Sequence, residues 1–76
     1  MSLNILSTHY KNIKIPLNKV TTINDIKQEI FNELNIKIDK QRLFFDNKQL
    51  QNDKLISDYK LNEKSLVALY CRNKGG

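Results

Sequence analysis

The stretch from Thr21 to Leu34, TTINDIKQEIFNEL, decides the architecture of this chain. Ile23, Ile26, Ile30 and Leu34 recur at spacings of three and four, which stacks them as one apolar stripe along an α-helix. The start of that helix is chemically marked. Thr22 can accept a hydrogen bond from the amide of Asp25, and the Asp25 carboxylate suits the positive end of the helix dipole. At the other end Asn35 can take the left-handed conformation that terminates a helix, in place of glycine. A stripe of this kind must be covered, and the segments on either side read as strands.

Upstream, Leu3 and Ile5 alternate with polar residues, and so do Ile13, Ile15 and Leu17, placing each set on one face of a strand. A hairpin is the economical connection. Its loop, within residues 7–12, has no glycine, so any positive-φ position there falls to His9 or Asn12. Pro16 belongs at a strand edge or bulge, where its missing N–H is not needed. Downstream, QRLFF (Gln41 to Phe45) makes a third strand, KQL (Lys48 to Leu50) a short one and SLVALYCR (Ser65 to Arg72) the last. Between them LISDYKL reads as an irregular or short helical connection with Ile56, Tyr59 and Leu61 turned inward. The order predicts an α+β roll, one main helix packed across a mixed sheet. Alternation then puts Leu43, Phe45, Val67 and Leu69 against the helix and leaves Arg42, Phe44, Leu66, Ala68 and Tyr70 facing water.

Composition narrows the function. Seventy-six residues hold one domain with a modest core and no separate catalytic lobe, which argues against an enzyme. A single cysteine, Cys71, cannot form an internal disulfide, and with His9 as the lone histidine there is no zinc-ligand spacing. Cys71 reads as a reduced, partly buried small hydrophobe, and no metal or cofactor is expected. The first residues lack the layout of a secretion signal and no apolar run is long enough for a bilayer, so the expected compartments are cytoplasm and nucleus, without membrane attachment. Thirteen Lys plus Arg against eight Asp plus Glu give a formal charge of +5. The lysines sit singly among acids and amides and form no basic run, which favours a solvated basic surface over a nucleic-acid site.

Several short matches fall in register over the whole length: Thr22-Ile23, Gln41 to Phe45, Lys48 to Leu50, Ser57 to Tyr59 and the closing Gly75-Gly76, the chain's only glycines. Through them the chain, from Met1 to Gly76 without a gap, resembles the ubiquitin-like modifier family. The resemblance implies a β-grasp domain over residues 1–72 and a flexible tail, 73–76, ending in Gly-Gly. It also implies activation of the Gly76 carboxylate with ATP, transfer to cysteine thiols as a thioester, and an isopeptide bond to a lysine of a target protein. Partners would then be activating, conjugating and deconjugating enzymes, target lysines and ubiquitin-fold-binding domains, with the chain itself a monomer. Arg72 and Lys74 become the residues read by activating enzymes. Arg72 suits ubiquitin-type activation, whereas Lys54 and Lys60 are similar to the cullin-modifying relatives, and Cys71 and Asn73 replace the tail leucines of the family.

The family's recognition face falls on Thr8, Phe44, Ala68 and Tyr70, with Leu6 and Leu66 extending it and Arg42, Lys48 and Arg72 as a basic rim. Aromatic anchors beside arginine are a typical hot-spot composition. Lys11, Lys27 and Lys48 stand at chain-forming positions of the family, while Leu6, Glu29, Glu33 and Glu63 occupy its other four. The alternative to a modifier is a non-conjugated ubiquitin-like adaptor domain that delivers a larger protein to the proteasome or another assembly. The in-register Gly-Gly after Arg72 favours the modifier. A patch around Ile36 and Cys71 is the next candidate surface.

Overall fold

The computed structural model describes residues 1–72. The tail expected over 73–76, with Lys74, Gly75 and Gly76, lies outside the described residues. Strands β1 (Ser2–Ser7), β2 (Ile13–Pro16), β3 (Gln41–Phe45), β4 (Lys48–Gln49) and β5 (Leu66–Cys71) and helix α1 (Ile23–Leu34) follow one another as the alternation and the stripe predict, except that Leu17 leaves the second strand for a 3-10 turn, Leu17–Lys19. The five strands form one mixed sheet in the order β2-β1-β5-β3-β4, with β1 and β5 parallel and the other pairs antiparallel. This is the β-grasp architecture, with the first and last strands side by side at the centre.

Helix α1 lies across one face of the sheet because Ile23, Ile26 and Ile30 have no other route out of water. All three are fully buried with Leu3, Ile5, Ile15, Leu43, Val67 and Leu69. Each such side chain stabilises the fold by about 1.5–3 kcal/mol relative to exposure, set against the entropy of ordering the chain. Leu34, Phe45 and Tyr59 pack on the margin of this core and are only partly buried. The helix start is the expected capping box: the Asp25 amide donates to Thr22 Oγ1 at 3.2 Å, and the Thr22 and Thr21 amides donate to Asp25 Oδ2 at 3.1 and 2.9 Å. The next two helix amides, of Ile23 and Asn24, donate to the carbonyls of Lys54 and Asn52, which fixes the long connection against the helix. Asn35 ends the helix in the left-handed conformation, φ 60°.

The glycine-free body manages its tight turns with Asx residues and one lysine. Asp46 and Asn47 both have positive φ, 53° and 66°, so β3 and β4 are joined by a two-residue turn of the mirror-image kind that suits strand twist. Lys60, at φ 57°, closes the short 3-10 turn Ile56–Tyr59. The β1–β2 loop differs from expectation, since neither His9 nor Asn12 adopts positive φ. Side chains close it instead: the Ser7 amide donates to Asn12 Oδ1 and the Tyr10 amide to Ser7 Oγ. Pro16 ends β2, an edge strand, where the missing N–H costs nothing.

Candidate functional site

The face of the sheet away from α1 gathers the predicted recognition residues by strand register. Ala68 on β5 sits between Leu6 on β1 and Phe44 on β3, and one step along β5 Tyr70 stands opposite Arg42, while Leu66 stands opposite Asn4. Tyr70 and Leu66 are 52 % and 57 % exposed. Phe44 and Ala68 are half-buried, shielded by these neighbours. The Phe44 and Tyr70 rings meet edge to face, with centroids 5.4 Å apart and planes at 87°. That geometry places the positive edge of one ring on the negative face of the other and holds both in one orientation.

A shallow depression of about 850 Å³ is lined by Phe44, Leu66, Ala68 and Tyr70, with Arg42 and Arg72 at its margin. Arg42 is positioned by the backbone just before it: its Nη1 donates to the carbonyls of Asp39 and Gln41, at 3.0 and 2.9 Å. The Arg72 amide donates to the Lys40 carbonyl at 2.7 Å, which ties the end of β5 to the turn before β3 and leaves the Arg72 side chain exposed.

Three expected members of the face do not line the depression. Thr8 is exposed in the β1–β2 loop, beyond the end of β1, and does not line the depression. Lys48 does not line it either, because the β3–β4 turn pairs Lys48 with Phe45 and brings Asp46 and Asn47 to the margin instead. The rim therefore carries a carboxylate where a lysine was expected. Leu6 is exposed beside Ala68 on β1, just outside the depression.

Lys27, the third expected chain-forming lysine, sits in a different environment from Lys11 and Lys48. It is 4 % exposed, because it lies on the buried stripe of α1, four residues after Ile23 and three before Ile30. Burial, and then the nearby Arg42 charge, hold its ammonium below the usual lysine range. Of the three lysines, Lys11 and Lys48 are exposed. Gln41, a fully buried residue to which the sequence reading gave a strand but no face, joins this corner. Its Nε2 donates to the carbonyls of Lys27 and Ile36, both at 2.9 Å, while Oε1 has no partner among the described residues. The period-two pattern that turned Leu43 inward also turns Gln41 inward, which was the available signal. Cys71 is half-buried against the core, and burial pushes its thiol up from its ordinary value.

The family model described as "Ubiquitin family" matches residues 3–74, nearly the whole of the 76-residue chain. With the five-stranded mixed sheet, the single long helix across it and the capping box at its start, that match is sufficient: the chain belongs to the ubiquitin family.

Proposed function

We propose that the chain is a ubiquitin-like modifier, joined through the Gly76 carboxylate to lysines of target proteins. The carrying observation is the Gly75-Gly76 pair, which in the sequence directly follows residues 3–74, the span that the family model matches. The Gly76 carboxylate is available either directly or once any residues that follow it are hydrolysed away. Without Cβ atoms these two residues can lie extended in a narrow channel and bring the carboxyl carbon to a thiol or an amine. In the reaction the carboxylate displaces pyrophosphate from ATP to give an acyl adenylate. An enzyme thiolate then displaces AMP, and a lysine amine finally displaces the thiol. The chain is the substrate and then the label, and catalysis belongs to activating, conjugating and deconjugating enzymes of the cytoplasm and nucleus. Arg72 and Lys74 are the tail residues that activating enzymes read. The Phe44–Tyr70 face, with Leu66, Ala68 and Arg42, is the surface that ubiquitin-fold-binding domains take.

The test is incubation with ATP, magnesium and the activating enzymes of the source organism. A thiol-sensitive adduct should form and should vanish when Gly76 is deleted. Its absence across all those enzymes overturns the modifier and leaves the adaptor domain.

A further inference from the structure

The open face of the sheet carries its charges at opposite ends. Strand register fixes the order of its rows: the Arg72 amide is bonded to the Lys40 carbonyl, Tyr70 stands opposite Arg42, and Ala68 stands opposite Phe44. Two residues beyond Phe44, Asp46 falls on the same side by alternation and lines the depression together with Leu66. One end of the depression is therefore cationic, with Arg42 and Arg72. The other end carries the Asp46 carboxylate, and the apolar row lies between them.

Local structure prepares each part. Among the described residues Arg42 commits only Nη1 to the Asp39 and Gln41 carbonyls, which leaves the rest of its guanidinium fork for a ligand. Asp46 opens the two-residue β3–β4 turn, exposed and at φ 53°, a left-handed backbone that aspartate tolerates. Ala68 has the smallest side chain of the depression. It sits half-buried between Leu6 and Phe44, while Leu66 and Tyr70, each more than half exposed, flank it along β5. The face thus has a notch at Ala68 walled by larger apolar groups.

From this order we infer that the face selects an amphipathic helix of mixed charge, with a carboxylate at the Arg42–Arg72 end, a long apolar side chain over Ala68 and a cation at Asp46. The inference rests on the reading of this face as the surface that ubiquitin-fold-binding domains take. The spacing follows from geometry. Four residues of extended chain, from Arg42 to Asp46, span about 13 Å at roughly 3.3 Å each. A helix rises about 1.5 Å per residue, so positions i, i+4 and i+8 along one of its faces span about 12 Å. Asp46 is the residue that discriminates. A helix with carboxylates at both ends meets one attraction and one repulsion, whereas the mixed helix meets two attractions. A second copy offers the same ordered face, but two chains of net charge +5 repel one another.

The experiment is a titration of the ¹⁵N-labelled full chain, followed by amide chemical shifts, with two synthetic helical peptides of one composition. The first presents Glu, Leu and Lys at i, i+4 and i+8. In the second, that lysine changes places with a glutamate on the outer helix face, so net charge is equal and only the Asp46 contact differs. At low ionic strength both should shift Phe44, Leu66, Ala68 and Tyr70 saturably, the first binding roughly three- to tenfold more tightly. Asp46→Asn, which keeps a residue suited to left-handed backbone, should bring the two affinities together. Asp46→Lys should invert their order, and the chain already holds a lysine at φ 57° in Lys60. Equal affinity for the two peptides on this face would overturn the charge selection and leave the face as a partner surface, whereas no saturable shift there with either would overturn both. Tighter binding of an oligouridylate than of the first peptide, or the same shifts appearing with protein concentration alone, which would mark a second copy, would overturn the occupant. The Gly76 adduct is read separately and does not depend on any of these outcomes.

Discussion

Phe44 and Tyr70 touch edge to face at 5.4 Å on the open side of the sheet, while their strand neighbours Leu43 and Leu69 are fully buried on the other side. Two adjacent positions on each strand thus serve opposite ends. Tyr70→Ala should cost roughly 1 kcal/mol, the worth of an exposed aromatic pair, and Leu69→Ala roughly 2–5 kcal/mol, because it leaves a cavity in a small core. Phe45→Ala should fall between them, since Phe45 packs only on the core margin. Urea midpoints rank the three, and a double-mutant cycle on Phe44 and Tyr70 should return a coupling of roughly 0.5–1.5 kcal/mol. A midpoint for Tyr70→Ala as low as that for Leu69→Ala would mean that the exposed ring belongs to the core.

Lys60 offers a stabilising substitution. It holds φ 57° at the close of the Ile56–Tyr59 turn, and a side chain with a Cβ pays about 1–2 kcal/mol there. Lys60→Gly removes that strain and loses part of the gain to the freer unfolded chain, for a net rise of roughly 0.5–1 kcal/mol. A thermal melt should move up accordingly. Asn47→Ala, at φ 66° in the β3–β4 turn, should move it down, since alanine lacks the short amide that lets asparagine tolerate this conformation.

Strands and helix were legible because periods of two and 3.6 survive in the apolar residues alone: Ile23, Ile26 and Ile30 on α1, Leu43 on β3, Val67 and Leu69 on β5. The same periods place Lys27 and Gln41 inside. Their polarity hides them from a reading that counts only apolar residues, although geometry alone would have found both. Asp46-Asn47 was a readable turn, two Asx residues between short strands, whereas nothing local marks Lys60 as left-handed. The Phe44–Tyr70 face was legible because one strand pairing assembles it. The patch around Ile36 and Cys71 was legible only as that pair, since its joining with Tyr10 and Lys40 depends on three segments meeting around the end of β5.

Asp25 makes the helix start acid-sensitive. Backbone hydrogen bonds from Thr21 and Thr22 hold its carboxyl below the ordinary aspartate value. A carboxylate with a lowered folded pKa contributes stability that is complete above the unfolded value, about 3.9, and is lost as pH falls through the folded one. Denaturant midpoints measured from neutral pH down into that window should fall for the native chain. Asp25→Asn should begin lower and fall less steeply, because its cap no longer titrates. Equal slopes for the two would show that the acid loss comes from other carboxylates.

Lys27 carries the opposite sign at the alkaline end. Burial and the Arg42 charge lower its pKa, so the folded state releases this proton before the unfolded state does, and stability should rise with pH from the folded value to the unfolded one near 10.4. Cys71 works against it. Its raised thiol pKa gives stability that is present below the unfolded value and lost as pH rises through the folded one, so the measurement belongs in a Cys71→Ala background. There, Lys27→Met should abolish the alkaline rise and leave the fold at least as stable at neutral pH, since a flexible apolar side chain of similar length replaces a buried cation. The same burial predicts reactivity. With a limiting amine-directed ester, Lys11 and Lys48 should be acylated well before Lys27, and denaturation should erase the difference. If Lys27 is labelled as fast as Lys48 in the folded chain, its amine reaches solvent, and a polymer linked through it becomes feasible after all.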